Sequence, residues 1–232
     1  MLLGTNKDIN VVLVHGAWAD GSVWSRVITA LTEKGIKVTA APLPLTSLAE
    51  DVAAVNRSVA RAEGTVVLVG HAYAGAVIGQ ARPDKVKALV YIAALAPDEG
   101  EQVADVFYRN APHPLAPQLA PDEEGLIWFP PEAFETAFAQ HASAQELTVL
   151  AAVQRPLSPA CITVPVTRPL WKDVPAWYLL AEDDRMIVPE TQRFMAERMN
   201  AEIKAHAVDH TPSVTAPDTV VDIIVEAIQA IS

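Results

Sequence analysis

The chain is 232 residues long, 51% apolar and 19% charged, with a formal charge of −11. It is too hydrophobic for disorder, contains no apolar run of the roughly 18 to 20 residues that a membrane-spanning helix needs, and clusters no Lys or Arg to neutralise phosphate, which excludes membrane and nucleic acid as expected partners. A single cysteine, Cys161, rules out an internal disulfide, and Met1 to Asn10 has no basic stretch followed by an apolar one, so the expected compartment is the cytoplasm.

Asn10-Val11-Val12-Leu13-Val14 is a continuous apolar run ending in His15-Gly16, the pattern of a parallel strand buried on both faces. Ser22 to Lys34 predicts a helix, with Val23, Val27, Ile28 and Leu31 at helical spacing and Gly35 as its stop. A second strand, Ile36 to Ala40, is closed by Pro42 and Pro44, and a second helix, Leu48 to Ala62, carries Val52, Val55 and Val59 on one stripe. Thr65 to Val69 is a third strand. It runs into the turn Gly70-His71-Ala72-Tyr73-Ala74-Gly75, and the small residues beyond suit a helix packed closely on a sheet. Pro83 ends that helix, and Val86 to Ala94 reads as another buried strand. The alternation predicts parallel pairing through right-handed crossovers.

From about residue 97 to 175 prolines are dense, and the clear helical pieces are Pro131 to Gln140 and Ala144 to Val153. This reads as an excursion inserted between strands of a single domain, residues 1–232, and its aromatic residues Phe107, Tyr108, Trp128, Phe129, Phe134 and Phe138 either line a pocket or pack the insert onto the body. The sheet resumes at Ala176 to Ala181, followed by an acidic loop, a helix from Pro189 to Met199 with proline in its first turn, a strand from Glu202 to Ala207, and a closing helix from Pro217 to Ile231. The predicted fold class is therefore α/β, with about six mostly parallel strands flanked by helices.

Three turns at the carboxyl ends of strands hold the candidate chemistry, where ligands bind in open α/β sheets. In a G-x-S-x-G turn between strand and helix, a nucleophilic serine stands at the top of the sheet and the N–H after it helps to form an oxyanion hole. Here the serine position is Ala72 and the following residue is Tyr73. His210, just past the last strand, is the candidate base. Asp184 is the candidate acid that orients it, with Asp183 as its rival. The loop His15-Gly16-Ala17-Trp18 can supply the second oxyanion donor from the Ala17 N–H, while His15 and His71 read as structural.

His15-Gly16-Ala17-Trp18-Ala19-Asp20-Gly21-Ser22, the Gly70 to Gly75 elbow, Arg193-Phe194-Met195-Ala196 and Asp209-His210-Thr211-Pro212 together resemble the small α/β-hydrolases grouped with plant hydroxynitrile lyases, methyl-ester esterases and many bacterial relatives. The resemblance covers the whole chain, insert included. It implies an α/β-hydrolase fold with a small helical cap, a serine site that uses neither cofactor nor metal, and a small-molecule substrate, an ester or a related carbonyl compound. A homodimer is compatible with it.

Two departures matter. The closing glycine of the elbow is displaced to Gly75, with Ala74 in its place, and Ala72 has no oxygen with which to attack and no proton to give His210. Loss of the serine from a hydrolase costs about 10⁶ in turnover, while the remaining pocket still gives roughly 10³ to 10⁴ over water, so acyl-enzyme chemistry is absent from the chain as written. Three readings remain: an inactivating change introduced into an esterase-like enzyme, a natural enzyme that uses His210 and Asp184 as a general base without a nucleophile (a lyase, an isomerase or a water-mediated hydrolase), and a binding protein that has given up catalysis.

Overall fold

A computed structural model describes residues 9–232, so of the N-terminal stretch read above for a secretion signal only Ile9 and Asn10 fall within it. The chain runs β1 (Ile9–Val14), α1 (Ser25–Glu33), β2 (Lys37–Ala41), α2 (Leu48–Arg61), β3 (Thr65–His71), α3 (Ala74–Gly79), β4 (Val86–Ile92), α4 (Val103–Phe107), α5 (Ala144–Val153), β5 (Ala176–Ala181), α6 (Pro189–Arg198), β6 (Glu202–His206), α7 (Pro212–Thr215) and α8 (Pro217–Ala230). The strands form one sheet in the order β2-β1-β3-β4-β5-β6, and all neighbouring pairs are parallel.

Position in the sheet accounts for each strand's composition. β1, β3, β4 and β5 lie inside the sheet and are almost wholly buried, and they read as unbroken apolar runs because helices cover both faces. The edge strand β6, Glu202-Ile203-Lys204-Ala205-His206, is charged and largely exposed, which discourages pairing with another chain. α1 packs with α8, which also lies on β4 and β5, and α2 packs with α3. Because parallel strands all point the same way, the loops after β1, β3, β5 and β6 open at one end of the sheet.

The excursion between β4 and β5 differs in part from the expectation. The helix expected over Pro131 to Gln140 is one wide turn, Phe134–Phe138, closed by a 2.8 Å bond from the Ala139 N–H to the Phe134 carbonyl. α4 and α7 were not expected; at five and four residues they are too short for a helical period to accumulate. The helix expected from Ser22 begins as a tighter turn, Gly21–Trp24, capped by Asp20, before α1 proper. In α2 the inward face is rotated from the Val52 stripe: Asp51, Ala54, Val55, Ser58 and Val59 are buried, and Val52 is only half-buried.

Candidate active site

The turn after β3 is bent at Ala72, whose φ of +50° lies in the left-handed region. For a residue with a Cβ this conformation costs roughly 1–2 kcal/mol, so the surroundings must impose it. They do so through three backbone bonds: the Ala72 N–H donates to the Ile92 carbonyl (3.2 Å), and the Ala72 carbonyl accepts from Leu95 N–H (2.9 Å) and Gly75 N–H (3.1 Å). Close packing completes the clamp. A Cβ on Gly70 would lie 2.8 Å from the Ala74 carbonyl oxygen, and one on Gly75 would overlap the Leu95 carbonyl oxygen. The displaced glycine thus performs the close approach, and Ala74 is accommodated without it.

His210 follows β6 and is buried. Its Nδ1 lies 2.8 Å from Oδ2 of Asp184, which leaves Nε2 as the nitrogen available for proton transfer. Asp184 is itself held on every side: Oδ1 accepts the N–H groups of Met186 (2.7 Å) and Ile187 (2.9 Å), and Oδ2 also accepts from the Gln192 side-chain amide (2.8 Å). Gln192 in turn accepts from the Ala181 N–H (3.0 Å), tying the acid to the end of β5. Asp183 is exposed and is bonded through its backbone, its carbonyl accepting from the Gln140 side chain and its N–H donating to the Val208 carbonyl.

The loop after β1 runs against the elbow. A Cβ on Gly16 would lie 3.1 Å from both the Ala72 Cβ and the His71 carbonyl oxygen, a tight fit, so glycine at 16 lets this loop run against the elbow without pushing it aside. Among the described residues neither the Ala17 nor the Tyr73 N–H has a hydrogen-bond acceptor, so both are free to donate to a bound group. Trp18, with φ +54°, follows Ala17 and donates its indole N–H to the Ile127 carbonyl (2.9 Å).

His15 and His71 hold loops. His15 accepts the Leu43 N–H at Nε2 (3.1 Å) and donates from Nδ1 to the Gly16 carbonyl (2.9 Å). His71 donates from Nε2 to the His210 carbonyl (2.6 Å), with the two rings 4.9 Å apart. Burial, and then the nearby His210 ring, lower the His71 pKa to about 3, so this ring stays neutral and does not compete for His210's proton.

Ala17, Ala72, Tyr73 and His210 line one cavity of about 660 Å³, counted to its open mouth. Residues of the excursion, including Val103, Phe107, Tyr108, Leu119 and Ile162, form its other walls. Of the six aromatic residues singled out in the sequence, Phe107 and Tyr108 line the cavity, Trp128 is half-exposed, and Phe129, Phe134 and Phe138 pack on one another, with Phe129 against Trp18 and Phe138 against His210. No Lys, Arg, Asp or Glu lines the cavity. Among the described residues no three His, Cys, Asp or Glu side chains are grouped as a metal site needs.

Two supporting residues escape the sequence reading, Gln192 and Asp51. Asp51 is fully buried and accepts the Tyr73 hydroxyl (2.7 Å) and the Leu45 N–H (2.8 Å). Both are polar residues on the inward face of a helix, four positions from buried Ala196 and Val55 respectively, and such a break in an apolar face is the signal that would find them.

Comparison with known proteins agrees with this fold. Residues 11–223 match the model described as "Alpha/beta hydrolase family". The chain is 27% identical over 242 residues to "Probable hydrolase R7" of Phoma sp. (93% of this chain, 96% of that protein) and 25% identical over 236 residues to "Methylesterase 8" of Arabidopsis thaliana (91% and 86%). The crystal structure of polyneuridine aldehyde esterase superposes with a TM-score of 0.82 at 19% identity, covering 94% of this chain and 98% of that one.

Proposed function

The chain belongs to the alpha/beta hydrolase family, and within it we propose that the cavity is the site of a carboxylic-ester hydrolase for small, uncharged, apolar esters, with Ala72 in the position of the nucleophile. The observation that carries this reading is the left-handed backbone of Ala72 beneath an intact His210–Asp184 pair. Strain at a non-glycine residue persists where the surrounding structure over-determines it, and such places cluster at functional sites. An alanine gains nothing from that conformation itself, whereas a serine there would present its oxygen to the cavity.

With serine at 72, the Oγ attacks the ester carbonyl carbon while its proton passes to His210 Nε2, and the carbonyl oxygen, now an anion, is met by the Ala17 and Tyr73 N–H groups. Collapse expels the alcohol, which takes the proton from His210, and water then releases the acid. As the chain stands, only the direct route is open: His210 removes a proton from water, the water attacks the same carbonyl, and the products are again one acid and one alcohol. The apolar walls and the absence of a lining cation favour neutral substrates. The same absence disfavours a lyase that expels a small anion, because no positive side chain would hold the departing charge.

The substitution Ala72→Ser tests the reading. It is expected to give covalent labelling by a fluorophosphonate and a burst with an activated apolar ester, with turnover about 10⁶ above the chain as it stands. A folded Ala72→Ser protein that neither labels nor turns over would overturn the proposal.

A further inference from the structure

We propose that Asp51 is a positioning residue for the oxyanion hole, and that through it the excursion segment 157–161 is mechanically joined to the Tyr73 N–H; the inference rests on the ester-hydrolase reading of the site.

The Asp51 carboxylate is fully buried on the inward face of α2, and it stands where three parts of the chain meet. From the β2–α2 loop, Leu45 donates its N–H to Oδ1 (2.8 Å). From the elbow, Tyr73 donates its hydroxyl to Oδ2 (2.7 Å). From the excursion, the Cys161 thiol faces the same Oδ2 at 3.6 Å. Leu45 is itself left-handed, with φ +59°, and its carbonyl accepts the Ser158 N–H (3.0 Å), so loop and excursion are joined twice within a few residues.

Burial raises the pKa values of the groups that converge here: it pushes the Cys161 thiol up to about 12, and the Tyr73 hydroxyl and the Asp51 carboxyl also upward. Thiol and phenol therefore remain donors, as the arrangement requires.

The consequence lies in what Tyr73 does with its two ends. Its hydroxyl is anchored on Asp51, which does not line the cavity, while its backbone N–H is left without an acceptor among the described residues, so on the proposed reading the phenol acts as a strut that fixes the peptide plane. The partner donor is secured from the same segment. Leu157 exchanges two 2.9 Å bonds with Ile127, whose carbonyl also accepts the Trp18 indole N–H, and Trp18 directly follows Ala17. Residues 157 to 161 thus brace both donor residues, at Leu157 toward Ala17 and at Cys161 toward Tyr73. A carboxylate suits the node because it accepts from several donors at once; an amide offers one oxygen and turns an N–H toward a donor.

The test uses two backgrounds. In the Ala72→Ser protein, Asp51→Asn and Tyr73→Phe are each expected to lower kcat for an activated ester about tenfold while KM stays within about threefold, since a displaced donor weakens the transition state more than ground-state binding. The double substitution is expected to cost no more than the larger single one, because both break the same strut. In the chain as it stands, the Tyr73 amide resonance in a ¹H–¹⁵N spectrum is expected to move on Asp51→Asn and on Cys161→Ala. If Ala72→Ser shows no acylation, the ester reading falls while the amide resonance still decides the positioning. If Ala72→Ser acylates and both single variants keep kcat within twofold, or if the Tyr73 amide does not move, the positioning role is overturned. Should Asp51→Asn fail to fold, Tyr73→Phe, which removes one hydroxyl, carries the same readouts.

Discussion

The loops after β3, β5 and β6 and the excursion between β4 and β5 close over the same cavity, but they are held by different forces. The loops grow directly from buried strands, and backbone or carboxylate bonds fix each of their key residues: Ala72 by Ile92, Gly75 and Leu95, and Asp184 by two amides and Gln192. The excursion has one two-residue bridge, Ile127 with Leu157, which is internal to it; it meets the loops around it through one backbone bond from the Ser158 N–H to the Leu45 carbonyl (3.0 Å) and through side chains such as Trp18 and Arg185, whose guanidinium donates to the Thr136 carbonyl (2.7 Å). On the proposed reading the sheet end sets where chemistry happens, and the excursion sets what fits there. Changes to the first should be severe and chemical; changes to the second should be mild and steric.

The largest expected effect lies in the loops. In an Ala72→Ser background, Asp184→Asn should reduce turnover about 10⁴-fold, because the amide turns His210 to the wrong tautomer while leaving its position intact. Steady-state kinetics would show it, and a loss below tenfold would mean that the acid does not orient the ring. Next comes Gly75→Ala, which drives a methyl into the Leu95 carbonyl and should cost about 3 kcal/mol of stability by chemical denaturation.

An intermediate effect is a pH dependence. His71 is neutral in the fold, with a pKa of about 3, but titrates near 6.5 when unfolded, so the unfolded chain binds the extra proton between those values. Its contribution to stability is complete above pH 6.5 and is lost as the pH falls toward 3. Buried His15, also lowered, acts in the same direction, whereas Asp51, raised by burial, acts in the opposite one. Resistance to thermal unfolding should therefore weaken steadily from pH 7 to pH 4, and His71→Gln should flatten the slope; an unchanged slope would remove His71 as its source.

The smallest effect belongs to the excursion. Trp18→Phe keeps the ring against Phe129 but loses the indole bond to Ile127, and should cost about 1 kcal/mol while widening the range of esters accepted. A loss comparable to that of Gly75→Ala would erase the distinction between the two regions.

The same division decides what could be read from the sequence. β3 and the elbow are legible because an unbroken apolar run, a glycine and a row of small residues each have one structural meaning there. Asp184 could be preferred to Asp183, but the physical reason becomes visible only when its Oδ1 is seen bonded to the amides two and three residues on. α4 is too short for periodicity, and the Phe134–Phe138 turn follows two prolines and stops at Ala139, so local pattern overestimates it. Asp51 and Gln192 each leave a local trace, a polar residue in an apolar helix face, but not their roles: Asp51 meets Tyr73 and Cys161, 22 and 110 residues on, and Gln192 acquires its meaning only once Asp184 is seen bonded to His210.

On the ester-hydrolase reading proposed above, the bent backbone at residue 72 separates two properties that serine enzymes deliver together, a chamber shaped for an ester and the atom that destroys it. An ester that enters here should remain whole for far longer than it takes to diffuse out. If the proposal holds, the chain as written should hold an intact reactant for crystallography or spectroscopy, in surroundings that differ from a reactive site by one oxygen.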